Sequence, residues 1–331
     1  MMAGQFTAPR TVQLLNHPEP QLPDAELQPG QIVFQPELTC LCGSDLPFFD
    51  GNFEGHTIAY PQPVGMSLHE MVGTIVATNG RKWQPGTRVL AVPIGQMGLM
   101  ERFVMPEEQA IALRPGLRDE LCLLAQPLGT VLHALKKLPN MIDRDVVVLG
   151  QGPIGQMFNA TLRNLGARRI IGIDPESCRL AASHQMGATH VVCGCGRDVI
   201  AEIRDLLEGR LPEFVIEAVG HKAHALNDAI ELVKDYGTIL FFGVPPETID
   251  GVALRSAMWK NAQIITSLHP DFSRTYPLAM QWLGENRINL APLLTHRFPL
   301  QHIQQAFDTF RDRTGGALKV LVEFPALTHP R

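Results

Sequence analysis

The stretch VVVLGQGPIG at residues 146–155 decides the fold class of this chain. Its four leading apolar residues predict a strand that is buried on both faces, as in a parallel sheet. The GxGxxG pattern that follows is typical of a turn that holds a pyrophosphate at the start of a helix. A second apolar segment ends at Asp174, roughly 20 residues beyond the last glycine, where such folds carry an acidic residue. The context predicts a dinucleotide-binding βαβ unit.

Each residue of the turn has a physical role in that interpretation. Gly150 allows the tight turn, Gly152 lets the backbone approach the phosphates, and Gly155 allows close packing of the helix. Pro153 and Ile154 begin the helix, whose free N–H groups and positive dipole end would face the phosphates. We expect all five residues to contact the cofactor. The alternative is a glycine-rich turn that is purely structural.

Asp174 bears on the choice of cofactor. Its carboxylate would accept hydrogen bonds from both ribose hydroxyls and would repel a 2′-phosphate. NAD(H) is therefore favoured over NADP(H). Arg179, five residues further on, is also expected at the cofactor, and it leaves NADP(H) open as an alternative.

The rest of the chain has two distinct patterns. Residues 11–117 contain short strand-like segments separated by turn residues, which predicts a mostly β domain. The apolar residues of 121–138 have helical spacing. From Val146 onward, Val- and Ile-rich runs alternate with helical segments, one of them around 179–186, which predicts a parallel sheet. A length of 331 residues agrees with roughly two domains.

Composition excludes several classes of protein. Hydrophobic residues make up 45% of the chain and charged residues 18%, which argues against disorder. A net charge of -5 gives no basic footprint for nucleic acid or anionic lipid. No apolar run has the length of a signal peptide or membrane span, and the six cysteines do not suggest a disulfide framework. We expect a soluble, cytoplasmic protein that acts on a small molecule.

Three residues in the β-rich region suggest a metal. Cys42 lies in a turn after a strand, and His69 and Glu70 directly precede the next long strand. A thiolate and an imidazole suit Zn²⁺. Spacing alone leaves two interpretations open, a zinc site or a buried cysteine and a hydrogen-bonded histidine.

Several motifs occur together in one order along the chain. They are CGSDL at 42–46, HE at 69–70, QPL at 126–128, the GxGxxG turn, GID at 172–174, GA at 187–188, EAVG at 217–220 and KV at 319–320. This order resembles the medium-chain dehydrogenase/reductase superfamily, and within it the zinc-dependent alcohol and sorbitol (polyol) dehydrogenase-like branch. The resemblance implies an α/β chain with a GroES-like β-rich catalytic domain at 1–122, completed by 290–331. A Rossmann doubly wound NAD-binding domain would occupy 123–289, with the active site in the cleft.

The resemblance also assigns roles at the metal. Cys42 and His69 correspond to ligands of one catalytic zinc, and Glu70 to the acidic residue that can join them. Ser44 corresponds to the hydroxyl that passes on the substrate proton. Asp45 corresponds to the carboxylate that orients the zinc histidine.

On the cofactor side, the resemblance places three further residues near the nicotinamide. Thr130 corresponds to a residue against the ring, and Val219 and Gly243 belong to segments at the edge that holds the carboxamide. An aromatic pair that packs into the core is an equally good explanation of the segment before Gly243.

Three residues depart from the family pattern. Gln126 stands where this branch has a Glu, so Glu70 is our candidate for the third zinc ligand. Leu68 replaces a Gly before His69, so the backbone there is a candidate for repositioning. Pro47 stands where many members carry a proton-relay histidine. His56 is a candidate for that relay, but a solvated loop histidine is the better explanation of His56. The short interval at 93–101 predicts that the structural zinc lobe of many relatives is absent.

The resulting prediction is a zinc-dependent oxidoreductase that transfers hydride between NAD(H) and a secondary alcohol or ketone, of the polyol or sugar-alcohol kind. The alternatives are a zinc-independent quinone-reductase-like enzyme and a non-catalytic NAD(H)-binding protein. The family resemblance implies a homodimer or homotetramer.

Overall fold

The computed structural model describes residues 1–20, 27–53, 56–220 and 224–326. The chain divides into two compact units. The first unit contains Met1–Gln126, Phe272–Gly284 and Leu294–Arg331, and the second contains Pro127–Asp271 and Glu285–Leu293. Each unit is therefore assembled from separate stretches of the chain.

Within the described residues, the strands are β1 (Met2–Ala8), β2 (Thr11–Asn16), β3 (Gln31–Cys40), β4 (Asn52–Phe53), β5 (His56–Thr57), β6 (Met71–Thr78), β7 (Arg88–Ala91), β8 (Phe103–Pro106), β9 (Ala110–Ala112), β10 (Asp145–Leu149), β11 (Arg169–Asp174), β12 (His190–Cys193), β13 (Phe214–Glu217), β14 (Thr238–Phe241), β15 (Gln263–Thr266), β16 (Leu294–Pro299) and β17 (Lys319–Glu323). The α-helices are α1 (Leu46–Asp50), α2 (Asp119–Leu123), α3 (Ala125–Leu135), α4 (Pro153–Asn164), α5 (Ser177–Leu180), α6 (Ile200–Leu206), α7 (Ala225–Leu232), α8 (Leu254–Trp259), α9 (Phe272–Gly284) and α10 (Ile303–Asp312).

The first unit is built around a seven-stranded sheet in the order β16-β17-β3-β6-β7-β9, with β8 also paired to β3. β1 and β2 form a separate hairpin. An aromatic cluster packs α10 against β1 and α1. The ring of Phe307 from α10 lies 5.2 Å from that of Phe6 in β1 and 5.0 Å from that of Phe49 in α1. The C-terminal strands and α10 are thus integral to the core of this unit.

The second unit is built around a six-stranded sheet in the order β12-β11-β10-β13-β14-β15. All neighbouring strands are parallel, and every residue of β10 is buried. The strand order reverses direction between β10 and β13, and open α/β sheets bind ligands beyond the carboxyl ends of their strands at such a point. The predicted fold class, a β-rich domain plus a doubly wound parallel sheet, is confirmed.

Two helical predictions were wrong in their bounds. The apolar spacing from Leu121 to Leu138 predicts one helix, but α2 ends at Leu123 and α3 begins at Ala125. Pro127 has no N–H to donate to the carbonyl of Leu123, so the first helix cannot continue through it. The helix predicted around 179–186 is limited to α5, after which the chain continues in turns. In the part of the chain that the structure describes, no helix is long and apolar enough to cross a membrane.

Candidate active site

Three adjacent strands of the first unit bring the metal-site candidates together. β3 is antiparallel to both β6 and β17, with Thr39 opposite Met71 and Cys40 opposite Leu321. The end of β3 therefore lies beside the starts of its two neighbours. As a result, Cys42 after β3, the pair 69–70 before β6 and Lys319 at the start of β17 converge at one end of the sheet.

Asp45 organises the turn that carries Cys42. Its carboxylate is fully buried, and its Oδ2 accepts the N–H of Cys42 at 2.7 Å. Its Oδ1 accepts the N–H of Leu68 at 3.2 Å and lies 3.6 Å from Nδ1 of His69. One carboxylate thus fixes both chain segments that supply the candidate ligands, and it faces the histidine as a carboxylate partner of a zinc histidine does.

The charges around the imidazole are arranged to hold a cation. Burial alone would raise the pKa of Asp45, but its interactions with His69 and with the N–H of Cys42 leave that pKa lowered. Burial alone would lower the pKa of His69, but Asp45 and Cys42 raise it well above the ordinary value. The anionic groups therefore stabilise positive charge at this point of the fold.

The candidate ligand atoms fit a zinc ion. The ligand atoms of Cys42, His69 and Glu70 all lie within 4.8 Å of one another. Thiolate, imidazole and carboxylate are the three side-chain donors that Zn²⁺ takes in proteins. The hydroxyl of Ser44 is also buried, and no hydrogen-bond partner for it is found among the described residues. The donor set therefore suits a zinc ion, and the roles assigned to these residues stay predictions.

Glu70 has a second partner that the sequence did not reveal. The Nζ of Lys319 lies 2.7 and 2.6 Å from the two carboxylate oxygens, and both side chains are buried. Nζ also donates to the carbonyl of Leu41 at 3.3 Å. Burial alone would lower the pKa of Lys319, but Cys40 and Glu70 leave it raised. The negative charge of Glu70 is therefore largely neutralised by the protein itself.

Gln126 also has a protein partner. Its Nε2 lies 3.4 Å from the hydroxyl of Tyr276 on α9, and both side chains are buried. Burial raises the pKa of Tyr276, so this phenol is neutral at physiological pH. At Gln126, where the resemblance predicts a carboxylate, the structure thus has a neutral amide beside a neutral phenol.

The other two departures have plain structural outcomes. Leu68 has a φ of 76°, so it keeps the left-handed backbone that a glycine adopts easily, and its side chain is buried in the core. Pro47 lies in the first turn of α1, where a proline is well tolerated. His56 is exposed in β5.

The glycine-rich turn of the second unit has the predicted local geometry. Gly150 has a φ of 86°, and Gly152 is the N-cap of α4, with Pro153 and Ile154 in its first turn. A Cβ at Gly155 would lie 1.8 Å from the carbonyl oxygen of Gly150. A side chain there is therefore excluded, and the helix N-terminus stays against the turn.

Asp174 is tied directly to this turn. Its Oδ2 accepts the N–H of Gln151 at 2.8 Å, and its Oδ1 accepts the N–H of Glu176 at 2.9 Å. Nη1 of Arg179 lies 3.3 Å from Oδ2. The carboxylate predicted to bind ribose is thus held in a fixed orientation beside the phosphate turn.

The remaining cofactor candidates are all in the second unit. The hydroxyl of Thr130 donates to the carbonyl of Pro127 at 2.7 Å. The N–H groups of Val219 and Gly243 donate to one side chain, the buried carboxylate of Glu217, at 2.8 and 3.0 Å. The structure therefore joins Val219 and Gly243 through a residue that the sequence analysis did not select.

Lys319, Tyr276 and Glu217 are the site residues that sequence reasoning missed. Lys319 begins an otherwise apolar buried strand, and a lone charge in such a strand requires a buried partner. That signal was present in KVLVE, but it could not identify the partner. Glu217 likewise ends the apolar buried strand FVIE and opens the EAVG motif, but that pattern could not identify its partners. Tyr276 gave no comparable signal.

Two family models match this chain. An alcohol dehydrogenase GroES-like domain matches residues 28–115, and a zinc-binding dehydrogenase domain matches residues 153–285. Among curated relatives, sorbitol dehydrogenase from Ovis aries is 26% identical over 95% of this chain and 94% of its own length. L-threonine 3-dehydrogenase from Aeromonas hydrophila is 26% identical over 89% and 93%. A solved Escherichia coli alcohol dehydrogenase in complex with NADH, 22% identical, covers 98% of this chain and 99% of its own, with a TM-score of 0.81.

The Glu70–Lys319 ion pair can be tested by removing the cation. Lys319→Met leaves the Glu70 carboxylate buried without its partner, so we expect the free energy of unfolding of the zinc-free protein to fall by about 3–5 kcal/mol. Denaturant titration followed by circular dichroism measures this loss. The double variant Lys319→Met/Glu70→Gln carries neither charge, and we expect it to recover most of the loss. Additive losses in the double variant would contradict the ion pair.

Proposed function

This chain belongs to the medium-chain dehydrogenase/reductase superfamily, in its sorbitol dehydrogenase-like branch, and from that membership we propose a zinc-dependent oxidoreductase linked to NAD(H). Membership confirms the resemblance found in the motifs. The proposed substrates are secondary alcohols of the polyol or sugar-alcohol kind and the corresponding ketones. The curated sorbitol and threonine dehydrogenase relatives support this class, since both act on substrates that carry a secondary hydroxyl.

One observation carries the proposal. The side chains of Cys42, His69 and Glu70 converge within 4.8 Å, and Asp45 lies behind His69 at 3.6 Å. A half-buried thiol and imidazole next to a buried carboxylate, with a further carboxylate beside the histidine, form a donor set that suits Zn²⁺. A quinone-reductase-like protein without zinc has no need for this set.

The residues of the first unit would divide the chemistry as follows. Zinc held by Cys42 and His69 would supply a Lewis acid, and NAD(H) would supply the hydride carrier. Asp45 would keep His69 in the tautomer that leaves Nε2 free to ligate. The Ser44 hydroxyl, buried and without a described partner, would hydrogen-bond the substrate oxygen, accept its proton and pass its own hydroxyl proton on to water.

Glu70 is our proposed third ligand. Gln126 contributes no charge and lies beside Tyr276, so it is better suited to a contact through water. Lys319 competes with the metal for Glu70, which would make that ligand readily exchangeable. Equimolar zinc that survives dialysis in Glu70→Ala would refute this role.

The metal and the activity can be tested together. We expect one zinc per chain after dialysis against metal-free buffer, measured by elemental analysis, and NAD⁺-dependent oxidation of at least one member of a polyol panel. Cys42→Ala should lose both the zinc and the turnover. Cys122→Ala, a buried cysteine on α2, is the matched control and should keep both.

The same experiment separates the alternatives. NADH-driven turnover of a quinone or enone by zinc-free protein would favour the zinc-independent reductase. NADH binding with no turnover on any substrate would favour the non-catalytic protein. Either outcome would overturn the zinc dehydrogenase.

The preference for NAD(H) is proposed from Asp174. We expect Asp174→Ala to weaken NADH binding roughly 10–100-fold, because it removes charge-assisted hydrogen bonds to the ribose. The affinity for NADPH should rise relative to that for NADH. Fluorescence titration measures both constants, with the exposed Asp198→Ala as control. Wild-type protein that binds NADPH more tightly than NADH would contradict the assignment.

A homo-oligomer is also proposed, with its contact at β15. Among the described strands, β15 pairs only with β14, and Gln263, Ile264 and Thr266 are exposed. An open apolar edge is a template for another strand, and pairing with its own copy about a twofold axis satisfies both edges. Trp259, 79% exposed on the preceding helix, extends the apolar surface.

The oligomer can be tested at one backbone N–H. Gln263 N–H donates to Gly237, so the N–H of Ile264 points away from β14 along the alternating strand. Ile264→Pro removes that outward group without breaking a β14 hydrogen bond. We expect wild-type protein and Ile264→Val to have at least twice the 36.5 kDa chain mass by light scattering, and Ile264→Pro to shift toward monomer. An unchanged mass in Ile264→Pro would refute this interface.

A reducing, cytoplasmic compartment is proposed as well. All six cysteines are free thiols. Free thiols persist in reducing compartments, whereas secreted proteins favour disulfides.

A further inference from the structure

Glu217 lies at the carboxyl end of β13, in the middle of the cofactor edge of the second unit. Its carboxylate is fully buried. Oε1 accepts the N–H groups of Val219 at 2.8 Å and Gly220 at 3.1 Å, and Oε2 accepts the N–H of Gly243 at 3.0 Å. One side chain therefore satisfies three backbone donors at the point where the sheet ends.

These donors belong to two different loops. Val219 and Gly220 follow β13, and Gly243 follows β14. A Cβ at Gly243 would lie 2.3 Å from the N of Gly220 and 2.6 Å from Oε2 of Glu217. The two loops thus meet backbone to backbone, and the carboxylate joins them.

The first of these loops also contacts the phosphate turn. A Cβ at Gly150 would lie 3.0 Å from the carbonyl oxygen of Ala218 and 3.1 Å from Cγ2 of Val219. The N–H of Ala218 donates to the carbonyl of Leu149 at 2.9 Å. Glu217 therefore joins the loop that contacts the turn at Gly150 to the loop that follows β14.

The strand order indicates which half of the cofactor these loops face. The phosphate turn follows β10, and Asp174, the candidate ribose ligand, ends β11 on one side of it. A dinucleotide bound at the switch point must extend to the other side of β10, over the ends of β13 and β14. The loops held by Glu217 lie on that side, away from Asp174.

Chemistry explains why a carboxylate stands here. A glutamine would keep one oxygen for Val219 and Gly220, but its amide N–H would then face the N–H of Gly243. A carboxylate accepts on both oxygens, so one side chain can serve both loops. The main-chain carbonyl of Glu217 also accepts the N–H groups of Phe242 and Gly243, each at 3.1 Å, so the side chain adds to a backbone contact with the second loop. Burial raises the pKa of Glu217, and the three N–H donors offset part of that cost.

We propose that Glu217 is a positioning residue that holds the loops at 218–220 and 242–244 in the conformation that binds the nicotinamide half of NAD(H). This inference rests on the proposed function, since it takes NAD(H) as the cofactor. The adenosine half is held by Asp174 and does not depend on Glu217.

The test compares two ligands that differ in the nicotinamide ring, NADH and ADP-ribose. In Glu217→Gln we expect NADH affinity to fall roughly 10–100-fold. The reason is that one charge-assisted hydrogen bond is lost and two N–H donors then face each other. ADP-ribose affinity should change less than about threefold. Isothermal titration of the full-length protein measures both. The matched control is Glu213→Gln, because Glu213 precedes the same strand at the opposite edge and its Oε2 accepts the N–H of Asp145 at 3.0 Å.

The remaining outcomes are decisive. Equal losses for both ligands, or no loss for either, would overturn the positioning role. Should Glu217→Gln fail to fold, Glu217→Asp keeps the charge on a shorter arm, and the same preferential loss of NADH affinity is expected. Wild-type protein that binds neither ligand would overturn the proposed function, and the inference with it. If wild-type protein binds both ligands and the Glu217 variants bind them with the same affinities, the inference alone is overturned.

Discussion

The first unit depends on the buried ion pair between Lys319 and Glu70. Lys319 begins β17, Glu70 directly precedes β6, and the carbonyl of Leu41, just after β3, completes the ammonium's contacts. The pair therefore connects three neighbouring strands at the end of the sheet where Cys42 and His69 lie. Because removing either charge leaves the other buried and uncompensated, the chain must keep both. Because Lys319 contacts both carboxylate oxygens of Glu70, it lowers the negative charge that Glu70 would present to a metal.

The ion pair also bears on Gln126, one of the departures from the family pattern. Gln126 and Tyr276 are neutral, so Glu70 is the carboxylate that joins Cys42 and His69 in the candidate ligand group, and it is shared with Lys319. A metal held by Cys42, His69 and a Glu70 shared with Lys319 would have less negative charge around it than a metal whose anionic ligands are unshared. It would therefore be more electrophilic but less tightly bound. Leu68 has the left-handed backbone that a glycine adopts easily, so the segment before His69 takes that conformation without a glycine.

The second unit uses carboxylates in a parallel way. Asp174 and Glu217 end strands on opposite sides of β10, and each accepts backbone N–H groups from loops at the carboxyl edge of the sheet. Peptide donors at the end of a parallel sheet have no strand partner, and a buried carboxylate satisfies several of them at once. The two residues thus hold loops near the turn at Gly150, where we propose that the cofactor binds.

The sequence by itself determined the fold class, because VVVLGQGPIG is a local pattern whose geometry follows from adjacent residues. The zinc chemistry was implied by the resemblance of the ordered motifs to a family, since the spacing of Cys42 and His69 alone left it open. It misjudged helix bounds near Pro127, where a missing N–H overrides apolar spacing. It could not identify the partners of Glu70, Gln126 and Glu217. Lys319 is 249 residues from Glu70 along the chain, and Gly243 is 26 from Glu217. Only the pairing of strands in the folded sheets decides such contacts, because it brings residues together that no spacing relates.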